Sequence, residues 1–104
     1  MMIKHIVLFK LRDNSPEACA KARDTLLSME GKVPMLRGLH AGVDRLRSAR
    51  SYDVAVEVLL DDMDALDAYQ NDPYHCEVVK AYMHSVVENS VSMDYEYPEA
   101  STNG

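Results

Sequence analysis

Apolar positions alternate with polar ones at both ends of the chain and recur at helical spacing between them. Over residues 2–10, Ile3, His5, Val7 and Phe9 fall on one side, and Lys4, Ile6, Leu8 and Lys10 on the other. That is the two-residue period of a β-strand. Both rows hold large apolar side chains, which predicts a strand covered on both faces over part of its length. Ser15, Pro16 and Glu17 have the order of a helix start: a capping hydroxyl, a proline that needs no partner for a missing N–H, and an acid at the positive end. The helix is expected to run to about Met29, with Cys19, Ala22, Leu26 and Met29 inward and Gly31 and Pro34 closing it.

Residues 39–43 read as a short strand interrupted by Gly42, and residues 52–60 as an apolar strand broken only by Asp53 and Glu57. Asp61 and Asp62 cap a short helix with Met63, Leu66 and Tyr69 on one stripe. Asn71, Asp72 and Pro73 stop it and start a third helix, in which Asp72 is the N-cap and Val78, Val79, Tyr82, Met83 and Val86 supply the apolar residues. The last strand, about 90–97, alternates Val91, Met93, Tyr95 and Tyr97 against Ser92, Asp94 and Glu96. Residues 98–104 are small and polar and are expected to form a frayed, disordered tail, so residues 1–97 make one domain.

The order strand, helix, strand, strand, helix in two pieces, strand is that of an α+β fold, the ferredoxin-like split βαβ with a four-stranded antiparallel sheet. The helices of such a chain cover one face of the sheet. The other face, with Ile6 and Leu8, then needs a partner, because an apolar patch of several hundred Å² is not left in water on a monomer. At about 25 cal/mol per Å² its burial contributes several kcal/mol, so a homodimer forming an α+β barrel is expected.

Composition narrows the function classes. The 104 residues include 11 Lys and Arg against 17 Asp and Glu, a net charge of −6, which argues against binding nucleic acid through its phosphates. No apolar run reaches the ~20 residues of a membrane span, and the first residues lack a signal-peptide pattern. Cys19 and Cys76 read as reduced thiols, and the expected location is cytoplasmic.

Three segments carry a family likeness: Lys4-His5-Ile6-Val7-Leu8-Phe9-Lys10; the stretch from Ser51-Tyr52-Asp53 through Leu66 and Tyr69 to Asn71-Asp72-Pro73-Tyr74-His75; and Asp94-Tyr95-Glu96-Tyr97. Together they resemble the stress-responsive dimeric α/β-barrel (Dabb) family over roughly residues 2–97. The resemblance implies a dimeric α+β barrel. It extends to a plant branch of polyketide cyclases, the olivetolic acid cyclase type, which closes a linear polyketide by aldol condensation without metal or organic cofactor. That branch uses a tyrosine and a histidine flanking the turn that matches Asp72-Pro73, which implies Tyr69 and His75 here. It also implies a pocket wall of His5, Val7, Phe9, Val54 and Val56. Two departures stand out. Val54 replaces a strand histidine of the cyclases, and Leu26, Leu27 and Met29 lie where they place a helix tyrosine.

The residues themselves allow two readings each. His75 falls in the first turn of the third helix, whose positive end disfavours an imidazolium and leaves a neutral ring able to act as general base; a half-exposed capping histidine is the plainer reading. Tyr69 is either a core tyrosine or a phenol that hydrogen-bonds His75 or polarises a substrate carbonyl. His5, on an apolar row, is either a satisfied core histidine or a pocket wall. Cys76 adjoins His75, but neighbours on a helix point about 100° apart. His40 and His84 form no ligand pair, and no Cys/His spacing suits zinc, so no metal and no cofactor are expected. The basic loop with Arg45, Arg47 and Arg50 reads as a solvated surface. The reading is a homodimer with acid/base chemistry, cyclase, aldol-type or lyase, on a small hydrophobic carbonyl compound. The alternatives are a non-catalytic stress-associated ligand-binding or structural dimer, and a cofactor-free monooxygenase or isomerase.

Overall fold

A computed structural model describes residues 1–98; most of the expected tail lies outside the described residues. The chain runs β1 (Met2–Leu11), α1 (Pro16–Leu27), β2 (Gly38–Val43), β3 (Val54–Leu60), α2 (Met63–Gln70), a π-helical segment (His75–Lys80), α3 (Ala81–Val86) and β4 (Val87–Tyr97). The sheet order is β2-β3-β1-β4 with every neighbouring pair antiparallel. This is the ferredoxin-like α+β architecture that the alternation and the element order predict.

Local chemistry fixes the helix starts. Ser15 Oγ accepts the Ala18 N–H at 3.2 Å, Asp62 Oδ1 the Ala65 N–H at 2.8 Å, and Asp72 Oδ2 the His75 N–H at 2.9 Å. Each cap satisfies a donor that the first helical turn leaves without an intrahelical partner. The first helix ends at Leu27 rather than Met29. The chain then turns through Gly31, whose φ of 76° suits a residue without a Cβ, and Met29 is still carried into the core.

Register builds the core. Ile3, His5, Val7 and Phe9 of β1 face Leu60, Val58, Val56 and Val54 of β3. α1 packs over β2 and β3, while α2 reaches β1 and β3. Under them the four β3 residues are no more than 2% exposed. β3 begins two residues later than the pattern predicts, because Asp53 is used otherwise. Its buried carboxylate accepts the Leu11 N–H at 2.8 Å and its own N–H donates to the Phe9 carbonyl, tying the end of β1 to the start of β3.

Two features differ from the expectation near the third helix. The helix opens as a π-helical segment, whose i→i+5 hydrogen bonds shift the phase of the stripe. Val79 and Met83 are buried while Val78 turns outward, 44% exposed. β4 begins at Val87, directly on the helix end, and a register shift between Lys10 and Leu11 absorbs the join. Arg12 holds that corner through its N–H to the Val86 carbonyl and its guanidinium to the Ser85 carbonyl. Among the described residues no helix is long and apolar enough to cross a membrane.

Candidate functional site

The regular burial of the helix-side row breaks halfway along β1. Ile3 and His5 are buried, but Val7 and Phe9 are only partly so. The helices lie over β2, β3 and part of β1, so β4 has no cover and its residues from Glu88 to Glu96 are exposed. The uncovered space is a cleft of about 330 Å³. Val7, Phe9, Leu26, Val56, Val79, Met83 and Val87 give it apolar walls; His5, Tyr69, Gln70, His75, Lys80, His84, Ser90 and Ser92 give it polar ones. A few converging polar groups in an apolar hollow is the usual make-up of a small-molecule site.

Three rings meet at the cleft. The Tyr69 ring, 2% exposed, stacks on His75 with centroids 4.2 Å apart and planes at 28°. His5 lies against Tyr69 edge-on, at 5.7 Å and 63°. His75 hangs from the first turn of its helix, where Asp72 fixes the backbone, and its Nδ1 is buried with no hydrogen-bond partner among the described residues. Burial pushes the His75 pKa below its ordinary 6.5; the positive charge of Lys80 and the neighbouring His5 push it further down, against weaker opposing contributions from Asp72 and the Tyr69 backbone. The ring is therefore neutral near pH 7. The sequence suggests neutrality from the helix end, whereas desolvation is the largest cause in the structure.

Tyr69 contributes its face rather than its hydroxyl. The hydroxyl donates to Met29 Sδ at 3.8 Å, a weak bond. Burial raises the phenol well above its usual pKa of 10.0, with Asp72 adding to the rise, so it stays protonated. The expected contact between the hydroxyl and His75 is not made, because α2 directs it toward the segment after α1.

His5 has a partner that sequence reading missed. Its Nδ1 lies 2.5 Å from Asp94 Oδ1, and the two residues are opposite each other in the β1–β4 register. The bond fixes the plane of the imidazole, as a carboxylate does beside many working histidines. Of the expected wall residues, His5, Val7, Phe9 and Val56 line the cleft. Val54 does not. It is buried at the far end of the row, and its remaining surface meets a separate depression with Leu8 and Gly42. Leu26 reaches the cleft from α1. Cys76 Sγ donates to the Gln70 carbonyl at 3.1 Å, outside the cleft lining.

Lys80, His84, Gln70, Ser90 and Ser92 are further cleft residues that the sequence reading did not single out. Two signals were present: Lys80 and His84 are spaced i, i+4, and Ser90, Ser92 and Asp94 share one parity on the last strand. Among the described residues no group of three or more His, Cys, Asp or Glu side chains is placed to hold a metal ion.

The sequence profile of the stress responsive A/B barrel domain matches residues 3–97. No curated protein sequence matches the chain. Solved structures do. A dimeric ferredoxin-like protein of unknown function from Thermobifida fusca is 28% identical, with a TM-score of 0.79 over 93% of this chain and 92% of that one. A dimeric protein of unknown function and ferredoxin-like fold from Bacteroides fragilis is 25% identical, with a TM-score of 0.78 over 92% and 96%. The hydroxynitrile lyase from Passiflora edulis is 16% identical, with a TM-score of 0.77 over 95% of each chain, a likeness of fold.

Proposed function

The chain belongs to the stress responsive A/B barrel domain family, and on that premise we propose that it is a homodimer whose cleft carries out acid/base chemistry on a small hydrophobic carbonyl compound. The observation that carries this reading is the stack of Tyr69 on His75, a ring that lines the cleft and that burial holds below its ordinary pKa. A neutral imidazole in an apolar site can take a proton from a carbon next to a carbonyl. Tyr69 then acts as a positioning residue, holding the His75 ring by its face. His5, whose ring plane Asp94 fixes, lines the same cleft and shapes the space beside the base. The proton returns from His75 to the substrate when the new bond forms or breaks, as in an aldol-type closure or a lyase step.

The test is exchange of the α-protons of phenylacetone for deuterium. General-base removal contributes about 10²–10⁴-fold, so His75→Ala is expected to lower the buffer-corrected rate by about 10²-fold or more. An unchanged rate in a folded variant contradicts the assignment. A second reading, a dimer that binds an apolar ligand without turnover, is favoured by one observation: the Tyr69 hydroxyl is spent on Met29 and leaves the cleft one donor fewer. Absence of exchange in the unaltered protein supports that reading.

The dimer rests on the open face of the sheet. There Leu8, Val91, Met93 and Tyr95 are 36%, 46%, 64% and 38% exposed, side by side on β1 and β4. The dimeric proteins of the same fold support the same assembly. Sedimentation is expected to give twice the 11.7 kDa chain mass; Met93→Lys is expected to give monomer, and a monomeric unaltered protein contradicts the proposal.

A further inference from the structure

We propose that the rim of the cleft is an anion subsite, in which Lys80 and His84 hold the carboxylate of a ligand whose apolar body lies between β1 and α3. The inference rests on the cleft being a ligand site and adds the class of molecule it selects. Three independent features support it.

The first is charge. Acidic residues outnumber basic ones 17 to 11 in the chain, yet among the described residues no Asp or Glu lines the cleft, while Lys80 does and His84 adds a ring N–H beside it. A neutral ligand would gain nothing from that reversal. An anion would be drawn to it and away from the rest of the surface.

The second is geometry. Lys80 is the residue before α3 and His84 is one turn on, so their side chains lie on one face of the helix. Both belong to the cleft lining, as do Gln70 of α2 and Ser90 and Ser92 of β4. The lining thus divides into these polar groups and apolar residues such as Val7, Val56, Val79 and Met83. A head-and-tail ligand matches that division.

The third is availability. Among the described residues Lys80 makes no ion pair, unlike Lys4, Arg23, Arg37 and Arg47, and of the unpaired Lys and Arg it is the one that lines the cleft. Asp94, on the same face of β4 as Ser90 and Ser92, is occupied by His5. An ammonium at the edge of an apolar cleft with no internal counter-charge is a point-charge receptor for a carboxylate.

A bound carboxylate would also act on the base. The groups that set the charge around His75 are Lys80 on the helix, His5 on β1 and Asp72 before the helix. A carboxylate at Lys80 offsets the first of these and raises the basicity of His75 when ligand is present.

The experiment compares octanoate with 1-octanol, equal in chain length and differing in charge, by calorimetric titration of the full chain at neutral pH. Octanoate is expected to bind about tenfold more tightly, the worth of one charge-assisted contact. Lys80→Gln is expected to abolish the preference, Lys80→Arg to keep most of it, and His84→Gln to reduce it less. Octanoate is expected to raise the His75 midpoint in an NMR titration, and octanol to leave it in place. Equal binding of acid and alcohol, or an unchanged ratio in Lys80→Gln, overturns the subsite; should Lys80→Gln not fold, loss of the preference in a folded Lys80→Arg overturns it instead. Phenylacetone has no carboxylate, so loss of its exchange with the octanoate preference intact strikes the base assignment alone. Exchange without the preference strikes the subsite alone.

Discussion

Two strands of one sheet, separated only by β1, present opposite surfaces on the same side. On β3, Val54, Val56, Val58 and Leu60 are at most 2% exposed beneath α1 and α2. On β4, Ser90, Ser92 and Asp94 share that side and are exposed. The difference begins in residue type, branched apolar against small and polar, and ends in what each half does. Here α1 and α2 pack against β2, β3 and part of β1, and β4 stays exposed. The half that is roofed stores the packing energy of the fold, and the half that is not opens the cleft beside it. β1 lies on the boundary, and its row shows the transition residue by residue, with His5 buried and Val7 and Phe9 partly open.

The sharpest way to break this contrast is to truncate one residue in each half. Leu60→Ala, at a fully buried position, is expected to cost about 2–5 kcal/mol of unfolding free energy. Ser92→Ala is expected to stay within about 0.5 kcal/mol. Chemical denaturation of both variants measures the pair, and similar losses would erase the distinction between core and cleft.

A second test uses pH. His75 is pushed below its ordinary pKa in the folded chain, so between that lowered value and about 6.5 the unfolded chain binds more protons than the folded one. Stability is therefore expected to fall as pH is lowered from about 7 through about 6.5, and to stop falling below the folded-state midpoint. His75→Phe, which keeps an aromatic face for Tyr69, is expected to flatten that segment of the stability profile. A profile identical to that of the unaltered chain removes His75 from the list of groups that cause it.

The smallest effect separates a phenol from a ring. Tyr69→Phe deletes a hydroxyl that meets only Met29 Sδ, so a loss under about 1 kcal/mol and less than about threefold in phenylacetone exchange are expected. A loss of exchange approaching that of His75→Ala would return the hydroxyl to the chemistry.

What could be read from the chain was local. The period-two rows and the caps at Ser15, Asp62 and Asp72 need only neighbours a few residues apart, and from them come the fold and the row that His5 shares with Ile3, Val7 and Phe9; that this row faces the helices came from the family resemblance. The neutrality of His75 was legible through its helix position, though not its main cause, since burial depends on what packs above it. Three things were not legible. Asp94 meets His5 across 89 positions of sequence, and only the β1–β4 register brings them together. The Tyr69 hydroxyl is aimed by Met29, 40 residues away. The π-helical segment differs from an α-helix by one step in hydrogen-bond spacing, which leaves no mark in composition, yet it turns Val78 out. The resemblance implies Val54 in the wall, at the position of a cyclase histidine, but Val54 is buried and the cleft ends before it.

The most direct test of the central claim is the titration of His75 itself, followed by NMR in histidine-labelled protein and assigned with the His75→Phe variant. A ring desolvated beside Tyr69 and near Lys80 is expected to take up its proton only below pH 6.5. A midpoint at or above that value would mean that the imidazole is charged or solvated, and no neutral base would stand at the cleft.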